Sequence, residues 1–215
     1  MKKVSGIIIN EVCVYVDLYD YIQDAYRVLY ISYQNLFIEK TKNKYSKPIN
    51  AKKWPLEDTI TDDLIRNEEF LPKQLNYRIV NQQKDASKNT RIDIAIQWSL
   101  KFGHSYDIKI ECKLLNKNNL PYIINSGIGK FKTNVYAEKL PLSGMLAFNT
   151  SETIQNNIKS LNTLIERKLS SKEILTEYSI LADYQYTYKS NHKRNDNTDF
   201  DLYSCVFEFN EVIEN

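Results

Sequence analysis

Two short stretches, Arg91-Ile92-Asp93-Ile94 and Ile110-Glu111-Cys112-Lys113, decide how this chain is interpreted. Both alternate apolar and polar residues, which is the pattern of a half-buried β-strand. The strand pattern continues beyond both stretches, and the gap from Trp98 to Tyr106, which contains Gly103, is short enough to be a hairpin loop. If the two strands pair, the side chains of Asp93, Glu111 and Lys113 converge on one patch of the sheet.

A patch of two carboxylates and a lysine is typical of a metal-binding site. Two carboxylates and an ammonium that crowd together are unfavourable unless something offsets their desolvation and repulsion. A divalent metal ion does so, and it also assists phosphodiester hydrolysis. Mg²⁺ prefers hard oxygen ligands. We therefore expect Asp93, Glu111 and the backbone carbonyl of Cys112 to bind Mg²⁺, for which Mn²⁺ can substitute, while Lys113 orients the attacking water and stabilises developing charge.

Composition limits the protein class. The 215 residues are enough for one α/β domain with its own core. Hydrophobic residues make up 42% and charged residues 26%, which favours a globular protein over a long disordered chain. The net charge of +2 does not by itself indicate a nucleic-acid partner, so any basic surface must be local.

The cysteine pattern and the hydropathy indicate the compartment. The three cysteines are far apart and lack the spacing of a zinc site, so we expect free thiols in a reducing cytoplasm. No apolar stretch has the length of a membrane span, and the apolar run near residue 8 is too short for a signal peptide. The sequence therefore predicts a cytoplasmic protein without a membrane partner.

Apolar spacing predicts the remaining elements. We expect helices in the second half of residues 11–40, from residue 54, over 122–139 and over 154–169, and further strands over 77–82, 144–148, 184–188 and 202–209. Residues 4–16 fit either a strand or a helix, and residues 192–197 are predicted to form a polar loop. This order predicts an α/β fold with a mixed central sheet flanked by helices.

The chain resembles the PD-(D/E)XK nuclease superfamily, which has a restriction-endonuclease-like core. The resemblance lies in the order of three features: a helical acid, then Asp93, then Glu111-x-Lys113. The resemblance covers roughly residues 54–148, in the order helix, three strands, helix, strand. It departs from the family name at Ile92, where the name has proline. The resemblance implies a Mg²⁺-dependent endonuclease that hydrolyses DNA, and defence against foreign DNA is the expected setting.

The resemblance also implies roles for individual residues. Asp93 and Glu111 would be metal ligands and Lys113 the catalytic lysine. Glu57 would be the acid of the first core helix, either as a metal ligand or as a supporting group. Asp58 is the alternative for that role, and simple electrostatics at a helix start also explains acids at both positions.

Three residues are expected to contact nucleic acid: Lys130, His192 and Arg194. The stretch from Tyr122 to Tyr136 looks like a segment that follows the lysine strand in some bacterial and phage-defence nucleases, where the position of Lys130 is often basic. His192 and Arg194 lie in the predicted polar loop. For Lys130 and His192 the alternative is an ordinary solvent-exposed side chain.

The predicted organisation has an N-terminal helical segment and Lys-rich loop at residues 1–53, packed on a nuclease-like domain at residues 54–215, in one compact unit. Three alternatives stay open. The charged trio is a surface salt bridge, which contributes little stability; or the fold is a catalytically inactive nucleic-acid-binding module; or the Tyr-rich first helix docks a protein partner. That partner would be a helicase or ATPase subunit, or a second copy in a homodimer.

Overall fold

The computed structural model of the chain describes residues 5–9, 12–16, 18–46, 56–66, 77–85, 90–99, 105–135 and 140–214. The strands are β1 (Ser5–Ile9), β2 (Val12–Val16), β3 (Tyr77–Asp85), β4 (Thr90–Ser99), β5 (Ser105–Leu115), β6 (Leu142–Asn149), β7 (Thr176–Glu177), β8 (Thr187–Lys193) and β9 (Asp199–Glu208). The helices are α1 (Leu18–Lys40), α2 (Leu56–Arg66), α3 (Leu120–Tyr122), a π-helical segment (Ile123–Ile128), α4 (Gly129–Lys132), α5 (Ile154–Lys168) and a 3₁₀ turn (Asn210–Val212).

Among the described residues, seven strands form one mixed sheet in the order β3-β4-β5-β6-β9-β8-β7, and β1 pairs with β2 separately. The central strands β5, β6 and β9 run parallel, and their outer neighbours are antiparallel. Every residue of β6 is buried, which is typical of a parallel strand that has helices on both faces. The predicted α/β class with a mixed, helix-flanked sheet is therefore confirmed.

Two apolar clusters fill the space between the sheet and its helices. On one face, Ile22 of α1 and Ile60 of α2 belong to the same cluster as Ile110 of β5. On the other face, Ile158 of α5 belongs to the same cluster as Met145 of β6. The alternation along β5 therefore directs Ile110 towards α1 and α2, and the next residue towards the opposite layer.

Tyr26 fixes α1 against the middle of the sheet. Its side chain is fully buried, and its hydroxyl lies 2.7 Å from the carbonyl oxygen of Tyr203 and 3.0 Å from that of Met145. A Cβ atom on Gly144 would lie 3.0 Å from this hydroxyl and 2.7 Å from Cγ1 of Ile110. The absence of a side chain at residue 144 is thus what lets α1 approach so closely.

Several predicted boundaries were wrong. The strand predicted over 184–188 is β8, Thr187–Lys193, so the predicted polar loop begins later than residue 192. The helix predicted over 122–139 covers Leu120–Lys132 and contains a π-helical segment, and residues 136–139 lie outside the described part. The undecided stretch 4–16 contains two short strands, and the sequence did not predict the two-residue strand β7.

Cys112 and Cys205 are buried free thiols, as predicted. The side chain of Cys13 lies outside the described residues. None of the helices that the structure describes combines the length and apolar character needed to cross a membrane.

Candidate active site

The candidate site lies where β4 and β5 separate. Their antiparallel ladder ends at the pair Ile94–Ile110. Beyond it, β4 continues along β3 and β5 continues along β6. Asp93 on one strand and Glu111 on the other are the first residues past the last pair. The predicted pairing of the two motif strands is confirmed, and it brings both halves of the motif to one point.

Two carboxylates accept the backbone N–H groups of β5 beyond this separation. Oδ2 of Asp93 accepts the N–H of Cys112 at 2.8 Å, and Oε2 of Glu57 accepts the N–H of Leu114 at 3.1 Å. Because the ladder alternates, these two N–H groups lie on the edge of β5 where β4 would have continued. The acids therefore take the place of a missing strand, and this fixes the positions of their carboxylates.

Lys113 is the common partner of three acids. Its Nζ lies 2.8 Å from Oε1 of Glu111, 2.9 Å from Oε1 of Glu57 and 3.7 Å from Oδ2 of Asp93. The same atom donates to the carbonyl oxygen of Cys112 at 2.5 Å. Burial acts to lower the pKa of Lys113, but the carboxylates of Glu111, Glu57 and Asp93 outweigh it and raise the pKa above its usual range. The ammonium form of Lys113 is therefore favoured at neutral pH.

Glu111 is the most deeply buried of the acids, with its side chain 0% exposed. Oε1 accepts from Lys113 and, at 2.7 Å, from Lys130. Among the described residues, Oε2 has no hydrogen-bond partner. Burial raises the pKa of Glu111 to about 7, the charge of Asp93 adds to this, and the two lysines act in the opposite direction.

Glu57 is the helical acid of the site. It contacts both Lys113 and the backbone of Leu114, so the structure places the first of the two alternative acids at the site. Burial raises the pKa of Glu57, and the ammonium of Lys113 partly counteracts this. The predicted convergence of Glu57, Asp93, Glu111 and Lys113 is therefore confirmed, whereas metal binding and catalysis stay predictions.

The oxygen atoms present are of the kind that Mg²⁺ binds. Asp93 and Glu111 supply carboxylates, and Cys112 supplies a backbone carbonyl. The buried Oε2 of Glu111, which no described residue hydrogen-bonds, is an acceptor that a cation would satisfy. Within the described residues no group of three or more His, Cys, Asp or Glu side chains forms a metal-binding cluster. Mg²⁺ needs no such cluster, because it typically binds one or two carboxylates and keeps several waters.

The helical segment after β5 lies over the site. A Cβ atom on Gly127 would be 3.6 Å from Cγ of Lys113, which shows how closely the π-helical segment approaches that side chain. Two residues later α4 begins, and it carries Lys130, whose side chain is 32% exposed and reaches Glu111. A π-helical turn inside an α-helix is frequently found at functional sites. The predicted position of Lys130 beside the site is confirmed.

His192 and Arg194 are predicted as DNA contacts in a polar loop. That placement is wrong for His192, which lies on β8, whereas Arg194 lies at the start of the loop that follows β8 but is buried. The ring of His192 is fully buried on β8, with Nδ1 2.6 Å from Oε2 of Glu173 and Nε2 2.7 Å from Oγ of Ser190. Arg194 is 3% exposed, and its guanidinium donates to the carbonyl of Leu140. Their polar atoms are used in the interior, so neither side chain is presented to a nucleic acid.

Sequence reasoning gave no role to Tyr122, which the structure places beside the site. Its ring centroid lies 5.3 Å from Nζ of Lys113, yet the residue is 50% exposed. The signal in the sequence was its spacing of eight residues, about two helical turns, from Lys130.

No protein-family model matches the chain, and no curated protein or solved structure matches it either.

Proposed function

We propose that this chain is a Mg²⁺-dependent nuclease of the PD-(D/E)XK type, with a restriction-endonuclease-like core, that hydrolyses phosphodiester bonds of DNA. One observation carries the proposal: Glu57, Asp93 and Glu111 converge on the ammonium of Lys113 at the point where β4 and β5 separate. Defence against foreign DNA in the cytoplasm is the proposed setting.

The residues divide into metal ligands and charge carriers. Asp93, Glu111 and the carbonyl of Cys112 would hold Mg²⁺. Oε2 of Glu111 is the expected ligand atom of that residue, because no described residue hydrogen-bonds it. When bound, the ion lowers the pKa of water and neutralises charge on the phosphate. The ionised form of Glu111 is required for this, and its pKa of about 7 lies close to neutral pH.

Lys113 and Glu57 have complementary roles in this proposal. Because the pKa of Lys113 is raised, its ammonium acts as a hydrogen-bond donor and not as a proton acceptor. It can orient a water molecule and stabilise the negative charge that develops on the phosphate oxygens. Glu57 accepts from both Lys113 and the N–H of Leu114, and so holds the ammonium in place.

A catalytically inactive nucleic-acid-binding or partner-docking module of the same fold is the second candidate. The observation that favours it is the pairing of Glu111 with two ammonium groups, Lys113 and Lys130, which compensates the buried carboxylate without a metal ion. Such a module would bind nucleic acid or protein but would not cleave DNA with any divalent metal.

The test is a cleavage assay with the purified chain, supercoiled plasmid and labelled oligodeoxynucleotides, in Mg²⁺, Mn²⁺ or EDTA. We expect cleavage with the metals and none with EDTA. Asp93→Asn and Lys113→Met should each lower the rate at least about a hundredfold, because each removes a ligand or a charge from the reacting centre.

Lys159→Met on α5 is the matched control, since Lys159 is exposed and lies outside the site. It should cleave like the wild type, and circular dichroism should show that all variants are folded. Cleavage by Asp93→Asn and Lys113→Met at the wild-type rate would indicate a contaminating nuclease and overturn the proposal. Binding without cleavage in every metal would favour the second candidate.

A further inference from the structure

Tyr122 is an exposed aromatic ring at the edge of a charged site. Among the described residues the large hydrophobic side chains that are exposed are Ile38, Tyr122 and Tyr178. Of these, Tyr122 is the one next to the candidate site, with its ring 5.3 Å from Nζ of Lys113. A single exposed tyrosine is ordinary on a protein surface, so the groups that surround Tyr122 decide whether its ring has a ligand.

The residues that follow Tyr122 extend its exposed face into a ridge. Tyr122, Ser126 and Lys130 recur at four-residue spacing, which is close to one turn in both the α-helical and the π-helical parts of this segment, so we infer that they lie on one side of it. Tyr122 is exposed, and Ser126 and Lys130 are both partly exposed. The ridge therefore presents, in order, an aromatic ring, a hydroxyl and an ammonium.

These groups match the parts of one nucleic-acid strand. An ammonium pairs with a phosphate, a hydroxyl bonds a phosphate or a sugar, and an exposed ring stacks on a base. Stacking needs a base whose face is free. In a duplex both faces of an internal base are covered by its neighbours, so the base must first be unstacked, at a cost of a few kcal/mol. The bases of an unpaired strand are already accessible, so stacking on the ring does not require this free energy.

Building on the proposed nuclease function, we propose that the site acts on single-stranded DNA, in which an unpaired base stacks on Tyr122 while the neighbouring phosphate lies against the partly exposed ammonium of Lys130. Tyr122 is then a specificity-determining residue. The same ridge would accept an unpaired segment at the end of a duplex or in a bubble.

Affinity for single-stranded and duplex DNA of the same sequence tests this. Fluorescence anisotropy in Ca²⁺ and in EDTA measures binding separately from Mg²⁺-dependent cleavage. The wild type should bind the single strand at least about tenfold more tightly than the duplex. Tyr122→Ala should weaken single-strand binding about tenfold and leave duplex binding within about twofold, whereas Tyr122→Phe should behave like the wild type.

Tyr178→Ala is the matched control. Tyr178 is also an exposed tyrosine beside a lysine ammonium, with Nζ of Lys189 5.4 Å from its ring, but it lies on the segment between β7 and β8. Its removal should change neither affinity. A strand with 2-aminopurine adds a direct readout, since stacking on Tyr122 should quench its fluorescence in the wild type and in Tyr122→Phe but not in Tyr122→Ala.

The affinity measurements test the preference for single-stranded DNA, and the cleavage assay tests the nuclease activity. Equal loss of single-strand and duplex affinity in Tyr122→Ala would mean that the ring only shields Lys113, and would overturn the inference. Tighter duplex binding by the wild type would overturn it as well. In both cases Mg²⁺-dependent cleavage that requires Asp93 would still support the nuclease. Absence of cleavage in the assay above would instead refute the nuclease, whatever the ratio of affinities.

Discussion

Nζ of Lys113 lies 2.8 Å from Oε1 of Glu111, and neither side chain is more than 2% exposed. A buried ion pair of this kind is weak evidence for stability, because desolvation of both charges opposes their attraction. The other oxygen of Glu111 has no hydrogen-bond partner in the described part of the chain. The pair is therefore better explained by the chemistry of a site than by the stability of the fold.

The first prediction concerns stability and pH. The pKa of Glu111 is raised from 4.5 to about 7, so the folded state favours the neutral carboxyl. This contribution to stability is fully present below about pH 4.5 and is lost as the pH rises through about 7. Glu111→Gln is always neutral. Its unfolding free energy, relative to the wild type, should therefore rise by about 3 kcal/mol between acidic and mildly alkaline pH.

Urea unfolding across this pH range measures the effect. Glu166→Gln, on an exposed position of α5, controls for the substitution itself and should track the wild type. A constant difference between Glu111→Gln and the wild type at all pH values would show that the carboxyl does not titrate in this way.

The second prediction concerns metal affinity. If Mg²⁺ binds at the proposed site it requires the ionised form of Glu111, so its binding near pH 6 should release close to one proton. Apparent affinity should rise with pH and level off above about 7. Calorimetry in buffers of different ionisation enthalpy measures the released proton. Binding that is independent of pH, or that persists in Asp93→Asn at wild-type affinity, would place the ion elsewhere.

Much of the site could be predicted because its residues lie on regular elements. The period-two alternation of β4 and β5 fixes which side chains share a face, and this predicted the meeting of Asp93, Glu111 and Lys113. His192 could not be placed in this way. Its polarity suggested a loop, but Glu173 and Ser190 satisfy its ring nitrogens inside the fold. Sequence periodicity does not show which distant partner compensates a buried polar group.

The third prediction concerns two glycines. Gly144→Ala would place Cβ 2.7 Å from Cγ1 of Ile110, in a region where α1 is tightly packed. We expect a loss of about 1–3 kcal/mol of unfolding free energy. Gly127→Ala is the comparison, because its Cβ would meet Lys113 and Met145 at ordinary contact distances of 3.6 and 3.5 Å. It should leave stability unchanged or raise it by up to about 1 kcal/mol.

Chemical denaturation of both variants decides this prediction. If Gly144→Ala were as stable as the wild type, α1 would not be packed against β6 as the structure shows it.

The fourth prediction concerns Lys130. Removing its ammonium in Lys130→Met takes away the proposed phosphate contact, so the slope of log affinity for single-stranded DNA against log salt should fall by about 0.7. Cleavage should slow about tenfold, as expected for the loss of one charged contact. Lys159→Met removes the same charge from an exposed position on α5 and should change neither quantity. Equal effects of the two substitutions would show that Lys130 acts only through the net charge of the protein and makes no specific phosphate contact.

The most direct measurement of the central claim is the anomalous diffraction of a crystal grown with Mn²⁺. The account predicts a peak within bonding distance of both Asp93 and Glu111, next to the carbonyl of Cys112, and its absence in a crystal of Asp93→Asn grown in the same way. An empty position between these carboxylates in wild-type crystals, under metal concentrations that saturate the protein in solution, would contradict the account.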